Sequence, residues 1–197
     1  MERQGRRPDK APRHRYRLLR PVVLVGMMGS GKTAVGKALA QRLEVPFLDS
    51  DAAIEEAAQA TIAEIFARDG EPFFRSRESE VIARLLSGTP AVLSTGGGAF
   101  MQDRNRALIG SLAVSVWLNA DLDTLWDRVR HKDTRPLLRT ADPKGTLAAL
   151  YAQRVPVYAL ADLSVRTEPG FTVDDTAERV IAALAGEADL VERLDDA

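Results

Sequence analysis

From Pro21 to about position 185 the chain alternates short apolar runs with longer stretches of helical spacing. The first run, Pro21-Val22-Val23-Leu24-Val25-Gly26, is too uniform for a half-exposed strand and suits one buried on both faces of a parallel sheet. The runs at 45–48, 91–94, 113–118 and 162–165 read the same way. Between them, 32–43, 52–58, 61–68, 71–86, 122–129, 145–158 and 176–184 carry helical spacing. Thr61-Ile62-Ala63-Glu64 has the spacing of a capping box, in which Thr and Glu satisfy each other's orphan amides. Strand and helix in strict alternation imply right-handed crossovers, hence an α/β fold with a parallel sheet covered by helices on both faces. Ligands of such sheets bind at the carboxyl ends of the strands.

The residues beyond those strand ends carry the chemistry. Gly26-Met27-Met28-Gly29-Ser30-Gly31-Lys32-Thr33 matches the full phosphate-loop pattern, with an apolar strand before it and a helix after it. The loop amides and the helix N-terminus are expected to cradle phosphate oxygens. Gly29, Ser30, Gly31, Lys32, Thr33 and Ala34 are the expected ATP-binding residues here. Lys32 is expected to reach the β- and γ-phosphates, and the Thr33 hydroxyl a Mg²⁺ ion. This loop occurs in GTPases, ATPase motors and small-molecule kinases alike. A core of about 165 residues leaves little room for motor modules. An apolar strand ending in Asp-x-x-Gly and an Asn-Lys-x-Asp guanine reader are not evident, which argues against a GTPase.

Asp49-Ser50-Asp51 follows the second run. Asp51 is the candidate to orient an acceptor hydroxyl and take its proton, with Asp49 on the metal side, through water. The alternative is that Asp49 or Ser50 caps the next helix, which explains one of these residues but not the set. Arg75, in Phe73-Phe74-Arg75, is suited to gripping a planar carboxylate, although a lone arginine is more often a surface group. Gly96-Gly97-Gly98 follows the third run, where close backbone approach to a ligand is the benefit of the entropy cost. No Asp ends that run, so Asp49 and Ser94 are the candidates to replace the usual metal-side aspartate. The polar stretch opened by Asp133-Thr134-Arg135-Pro136 reads as a mobile lid at about 131–145, with Arg135 supplying charge to the transferring phosphoryl group. Arg154, just ahead of Pro156, is a weak candidate by itself.

Composition changes this picture little. Hydrophobic residues make up 45% and charged residues 28%, ordinary for a soluble domain. No apolar run approaches the ~18–20 residues needed to span a bilayer. There is no cysteine, and the two histidines, His14 and His131, are too few and too far apart for a zinc site. The net charge of -1 hides two charged ends. Residues 1–20 hold eight Lys/Arg and are expected to be a disordered, solvated tail, a reading preferred over a nucleic-acid arm or a transit peptide. Residues 186–197 are its acidic counterpart, leaving 21–185 as the domain.

Taken together, these motifs resemble the shikimate kinase family. Gly-Met-Met-Gly-Ser-Gly-Lys-Thr, Phe-Leu-Asp-Ser-Asp, Ile-Phe-Ala-Arg-Asp-Gly-Glu-Pro-Phe-Phe-Arg, Ser-Thr-Gly-Gly-Gly, Thr-Arg-Pro-Leu-Leu and Arg-Val-Pro-Val-Tyr stand in the family's order and spacing over roughly 21–185. The resemblance implies a P-loop NTPase-type three-layer fold: a five-stranded parallel sheet with a lid. It implies transfer of the ATP γ-phosphate to the 3-hydroxyl of shikimate, on the route to chorismate and the aromatic amino acids. It puts Asp51 at the acceptor hydroxyls, with Arg75, Gly97 and Arg154 around the acceptor and the two arginines at its carboxylate. It assigns Arg135 to the lid and phosphates, and Arg128 to the adenine, a cation–π role. The run Val165-Arg166-Thr167-Glu168-Pro169-Gly170 departs from the family's Arg-Asn-Pro-like adenine loop, so no contacts carry over there. The expected setting is cytoplasmic and monomeric, with ATP, shikimate and Mg²⁺ as ligands and neither nucleic acid nor membrane as partner. The rivals are a gluconate-type kinase, a nucleoside monophosphate kinase and a binding module on a dead kinase scaffold. The last would have lost Lys32, Asp51 or Arg135, all of which are present.

Overall fold

The computed structural model describes residues 15–131, 138–187 and 189–194 of the chain. Five strands build the main sheet: β2 (Val22–Val25), β3 (Phe47–Asp49), β4 (Val92–Ser94), β5 (Val114–Ala120) and β6 (Leu163–Thr167), after a short β1 (Arg15–Leu18). All neighbours pair parallel, in the order β3-β4-β2-β5-β6. The most uniform apolar run, β2, therefore lies in the middle, and all four of its residues are buried.

Strand alternation divides the core in two. Val23, Val25, Leu93 and Trp117 face one side, packed on α3 (Ile62–Leu86), α4 (Asp103–Leu112), α5 (Leu122–Val129) and α6 (Pro143–Tyr158). Val22, Leu24, Val92 and Val116 face the other, packed on α1 (Lys32–Arg42) and α7 (Val173–Ala185). This is the expected three-layer α/β fold. A further helix, α2 (Ser50–Ala58), packs with α3 around Ile54, Ile65 and Phe74. Within α3, Gly70 adopts φ 81 and ψ 171 and divides the helix. Pro72 then sits in the first turn of the second half, where its missing N–H costs nothing. The two helical patterns at 61–68 and 71–86 are thus both present, joined at a kink. The capping box also forms: Thr61 Oγ1 accepts from Glu64 N at 3.2 Å, and Thr61 N donates to Glu64 Oε2 at 2.7 Å.

The structure adds two features that the sequence reading did not contain. The described ends of the charged tails are ordered: β1 pairs antiparallel with β7 (Val191–Leu194), matching Arg17 to Glu192. Charge counting overlooked that Tyr16 and Leu18 alternate with Arg15 and Arg17, which makes a half-buried strand with Leu18 in the core. The rest of both tails lies outside the described residues. Helix α4 was also not anticipated, because its segment is mostly polar and buries only Asn105 and Ile109. Among the described residues, no helix is long and apolar enough to cross a membrane.

Candidate active site

A cleft of about 680 Å³ opens at the carboxyl ends of β2, β3 and β4. One end is made by the loop between β2 and α1. Gly29 and Gly31 take φ 83 and 96, values open to glycine, and Gly31 forms the N-cap of α1 without a side chain. That arrangement leaves the first amides of α1 facing the cleft, an anion site made of backbone. Lys32 Nζ lies 2.8 Å from Gly26 O and 3.0 Å from Met27 O. The Thr33 and Ala34 positions line the same wall. Arg128, from α5, donates to Gly29 O at 3.3 Å and also lines the cleft. Pro169, Phe171 and Val173, from the loop after β6 and the start of α7, line the cleft as well.

The other end is made of side chains. Asp49 Oδ1 accepts from the amides of Asp51 and Ala52 at 3.0 and 3.2 Å, so it caps α2. Strand register sets it beside Ser94, and both line the cleft. Burial pushes the Asp51 carboxyl above its ordinary range; Asp49 adds to this, while Lys32 opposes it. A carboxylate so perturbed is a better proton acceptor than a solvated one.

The three glycines after β4 explain how these side chains come together. A methyl added at Gly96 would stand 2.7 Å from Asp51 Oδ1. At Gly97 it would stand 3.3 Å from Arg154 Nη1 and 3.7 Å from Gly26 O, and at Gly98 it would stand 2.7 Å from Arg75 Nη2. Each glycine thus admits a different charged side chain, and Gly97 also comes close to the phosphate loop. Arg75 and Arg154 join the site through these glycines, not as walls of the main cleft. Arg75 is held in turn by Glu71 at 3.2 Å and by both oxygens of buried Glu78 at 3.0 and 3.2 Å. Burial raises the Glu78 pKa, and the Arg75 guanidinium opposes that rise. Buried Asn105 steadies the same loop: its Nδ2 donates to Ala99 O at 2.9 Å and its Oδ1 accepts from Ser79 at 2.6 Å.

The shikimate kinase family model matches residues 28–185. The chain belongs to the shikimate kinase family. It is 65% identical over 175 residues to a shikimate kinase of Ruegeria pomeroyi, covering 89% of this chain and 90% of that one. It is 62% identical over 192 residues to that of Cereibacter sphaeroides, covering 98% and 96%. Among solved structures, a shikimate kinase from Acinetobacter baumannii in complex with shikimate superposes with TM-score 0.80 at 37% identity, over 85% of this chain and 94% of that one. The family reaction moves the γ-phosphate of ATP to the 3-hydroxyl of shikimate, releasing ADP, and that is the activity of this kinase.

Of the residues singled out in the sequence, Gly29, Ser30, Gly31, Lys32, Thr33, Ala34, Asp49, Asp51, Gly97 and Arg128 line one cleft. Arg75 and Arg154 are brought to its glycine edge. Arg135 lies outside the described residues. A reading of sequence alone passes over Glu71, Glu78, Phe171 and Tyr158. Glu71 and Glu78 were findable at i−4 and i+3 from Arg75, neighbouring positions on a helix. Phe171 was marked only by its place beyond the last strand.

Proposed function

We propose that Asp51 orients the shikimate hydroxyl and accepts its proton, and that Lys32 and Arg135 stabilise charge on the transferring phosphoryl group. The acceptor carboxylate then lies between Arg75 and Arg154, with Gly97 beneath the ring. The phosphates occupy the Gly29–Ala34 loop, and the adenine lies between Arg128 and the Pro169–Phe171 side. What carries this reading is the glycine triplet, whose three Cα positions abut Asp51, Arg154 and Arg75 in turn.

Hard oxygen donors suit Mg²⁺, which keeps several waters and takes few protein ligands. Thr33, Asp49 and Ser94 all line the cleft, Asp49 and Ser94 side by side, and supply oxygens of this kind. Thr33 would bind it directly and Asp49 through water. When bound, Mg²⁺ neutralises charge on the phosphates. One chain supplies both ends of the site, which supports a monomer. A cysteine-free, ATP-using enzyme fits the cytoplasm, and neither nucleic acid nor membrane is needed for the reaction.

ADP release measured with shikimate, gluconate, a nucleoside monophosphate or no acceptor tests the assignment. Turnover is expected with shikimate alone. Equal turnover with gluconate would remove the case for the carboxylate clamp and the Asp51 geometry as specificity devices.

A further inference from the structure

Tyr158 is the largest fully buried side chain among the described residues, yet its hydroxyl points at the acceptor end of the site. It lies on α6 four residues beyond Arg154, so the two share a helix face. Its Oη donates to Gly97 O at 2.5 Å. Trp117 of β5 stacks on the ring, with centroids 6.3 Å apart and planes at 24°, and restrains its tilt. A methyl at Gly97 would meet Arg154 Nη1 at 3.3 Å and Tyr158 Oη at 3.6 Å, so guanidinium, phenol and glycine meet at one point. Burial pushes the phenol up to about 12, against the opposing positive charge of Arg154. The hydroxyl therefore keeps its proton for the Gly97 carbonyl, with the Arg154 guanidinium close by at the same glycine.

We propose that Tyr158 is a positioning residue for the acceptor, its hydroxyl locking the Gly97 peptide and the Arg154 guanidinium into one geometry. The peptide is planar and trans, so holding the Gly97 carbonyl also fixes the opposed Gly98 N–H. This inference rests on the placement of the acceptor carboxylate at Arg154. If Tyr158 only filled the core, phenylalanine would serve as well, since it retains the ring against Trp117.

The test compares Tyr158→Phe, Arg154→Ala and the double variant, reading the KM for shikimate and for ATP separately. Tyr158→Phe is expected to raise the shikimate KM about tenfold, the scale of leaving a buried acceptor unpaired. The ATP KM should stay within about twofold. In the Arg154→Ala background the same change should add little, because the Gly97 peptide that Tyr158 holds acts on the acceptor together with Arg154. A normal shikimate KM in Tyr158→Phe, with a raised one in Arg154→Ala, overturns the role of Tyr158 and leaves the clamp standing. A normal shikimate KM in Arg154→Ala overturns the clamp itself. Equal rises in both KM values in Tyr158→Phe would mark a merely structural residue. Should Tyr158→Phe not fold, Tyr158→4-aminophenylalanine, which keeps a donor, is set against Tyr158→4-fluorophenylalanine, which does not. A lower shikimate KM for the amino variant is expected, and equal values overturn the proposal.

Discussion

The two ends of the cleft are built on different principles. The phosphate end is backbone: glycine conformations and the open amides of α1 make an anion site within one contiguous stretch. The end we propose for the acceptor is side chain: Asp51 from α2, Arg75 from α3 and Arg154 from α6 converge on three glycines after β4. A backbone site tolerates change in its side chains but not in its conformation. A convergent site depends on each supporting contact, and its specificity can be dismantled one residue at a time. Variants at the acceptor end should therefore separate shikimate from ATP in the kinetics.

The largest separation is expected from Asp51→Asn. Loss of a positioned acid–base group lowers kcat by about a hundred- to ten-thousandfold, while ATP affinity should hold within a few-fold. Stability gives a second readout. Asp51 holds its proton more tightly in the fold than in the unfolded chain. Between the ordinary carboxylate pKa and the raised folded value, the native state binds more protons, so stability falls as pH rises through that window. Asn does not ionise. The variant should match the parent in acid and melt at a higher temperature above the window. A near-normal kcat, or no stability gain at neutral pH, would count against a strained acid–base group at this position.

Arg75→Ala comes next. Loss of a charge-assisted hydrogen bond costs about 1.5–3 kcal/mol, hence about a 10- to 150-fold higher shikimate KM at unchanged ATP KM. It also leaves buried Glu78 without its cation, which is itself destabilising. Arg75→Ala combined with Glu78→Gln should recover melting temperature but not shikimate KM. If KM recovers with stability, Arg75 serves the fold and not the substrate.

What could be read from sequence follows the same division. The phosphate loop was legible because its function is local, a fixed spacing between a buried strand and a helix. The sheet was legible because strands buried on both faces are uniformly apolar, as in Val22–Val25. Asp51 and Arg75 were legible as chemistry, but only resemblance gave them a common ligand, since their meeting point depends on tertiary packing. Glu78 and Tyr158 escaped because their roles are contacts between elements. Phe171 escaped because it sits in a loop without a local pattern.

Phe171→Ala probes the place proposed for the adenine and should invert the acceptor-end result. Aromatic stacking contributes about 0.5–1.5 kcal/mol beyond area, so the ATP KM should rise about two- to twelvefold at constant shikimate KM. A rise confined to shikimate would place the nucleotide elsewhere in the cleft.

The smallest effect belongs to the ribbon, which touches neither end of the site. Arg17 and Glu192 form an exposed ion pair between β1 and β7. Such pairs contribute about 0–1 kcal/mol, because solvent screens them and ordering two long side chains costs entropy. The anchoring comes instead from Leu18 and Leu190, buried in the core shared with α1 and α7. Arg17→Ala should therefore shift denaturation by less than about 1 kcal/mol. Leu18→Ala should lose about 2–5 kcal/mol by opening a cavity. Neither should separate the two KM values by more than about twofold. If Arg17→Ala alone raised the ATP KM, the ribbon would be coupled to the nucleotide end through α7, whose first turn lines the cleft, and the boundary drawn here between scaffold and site would have to move.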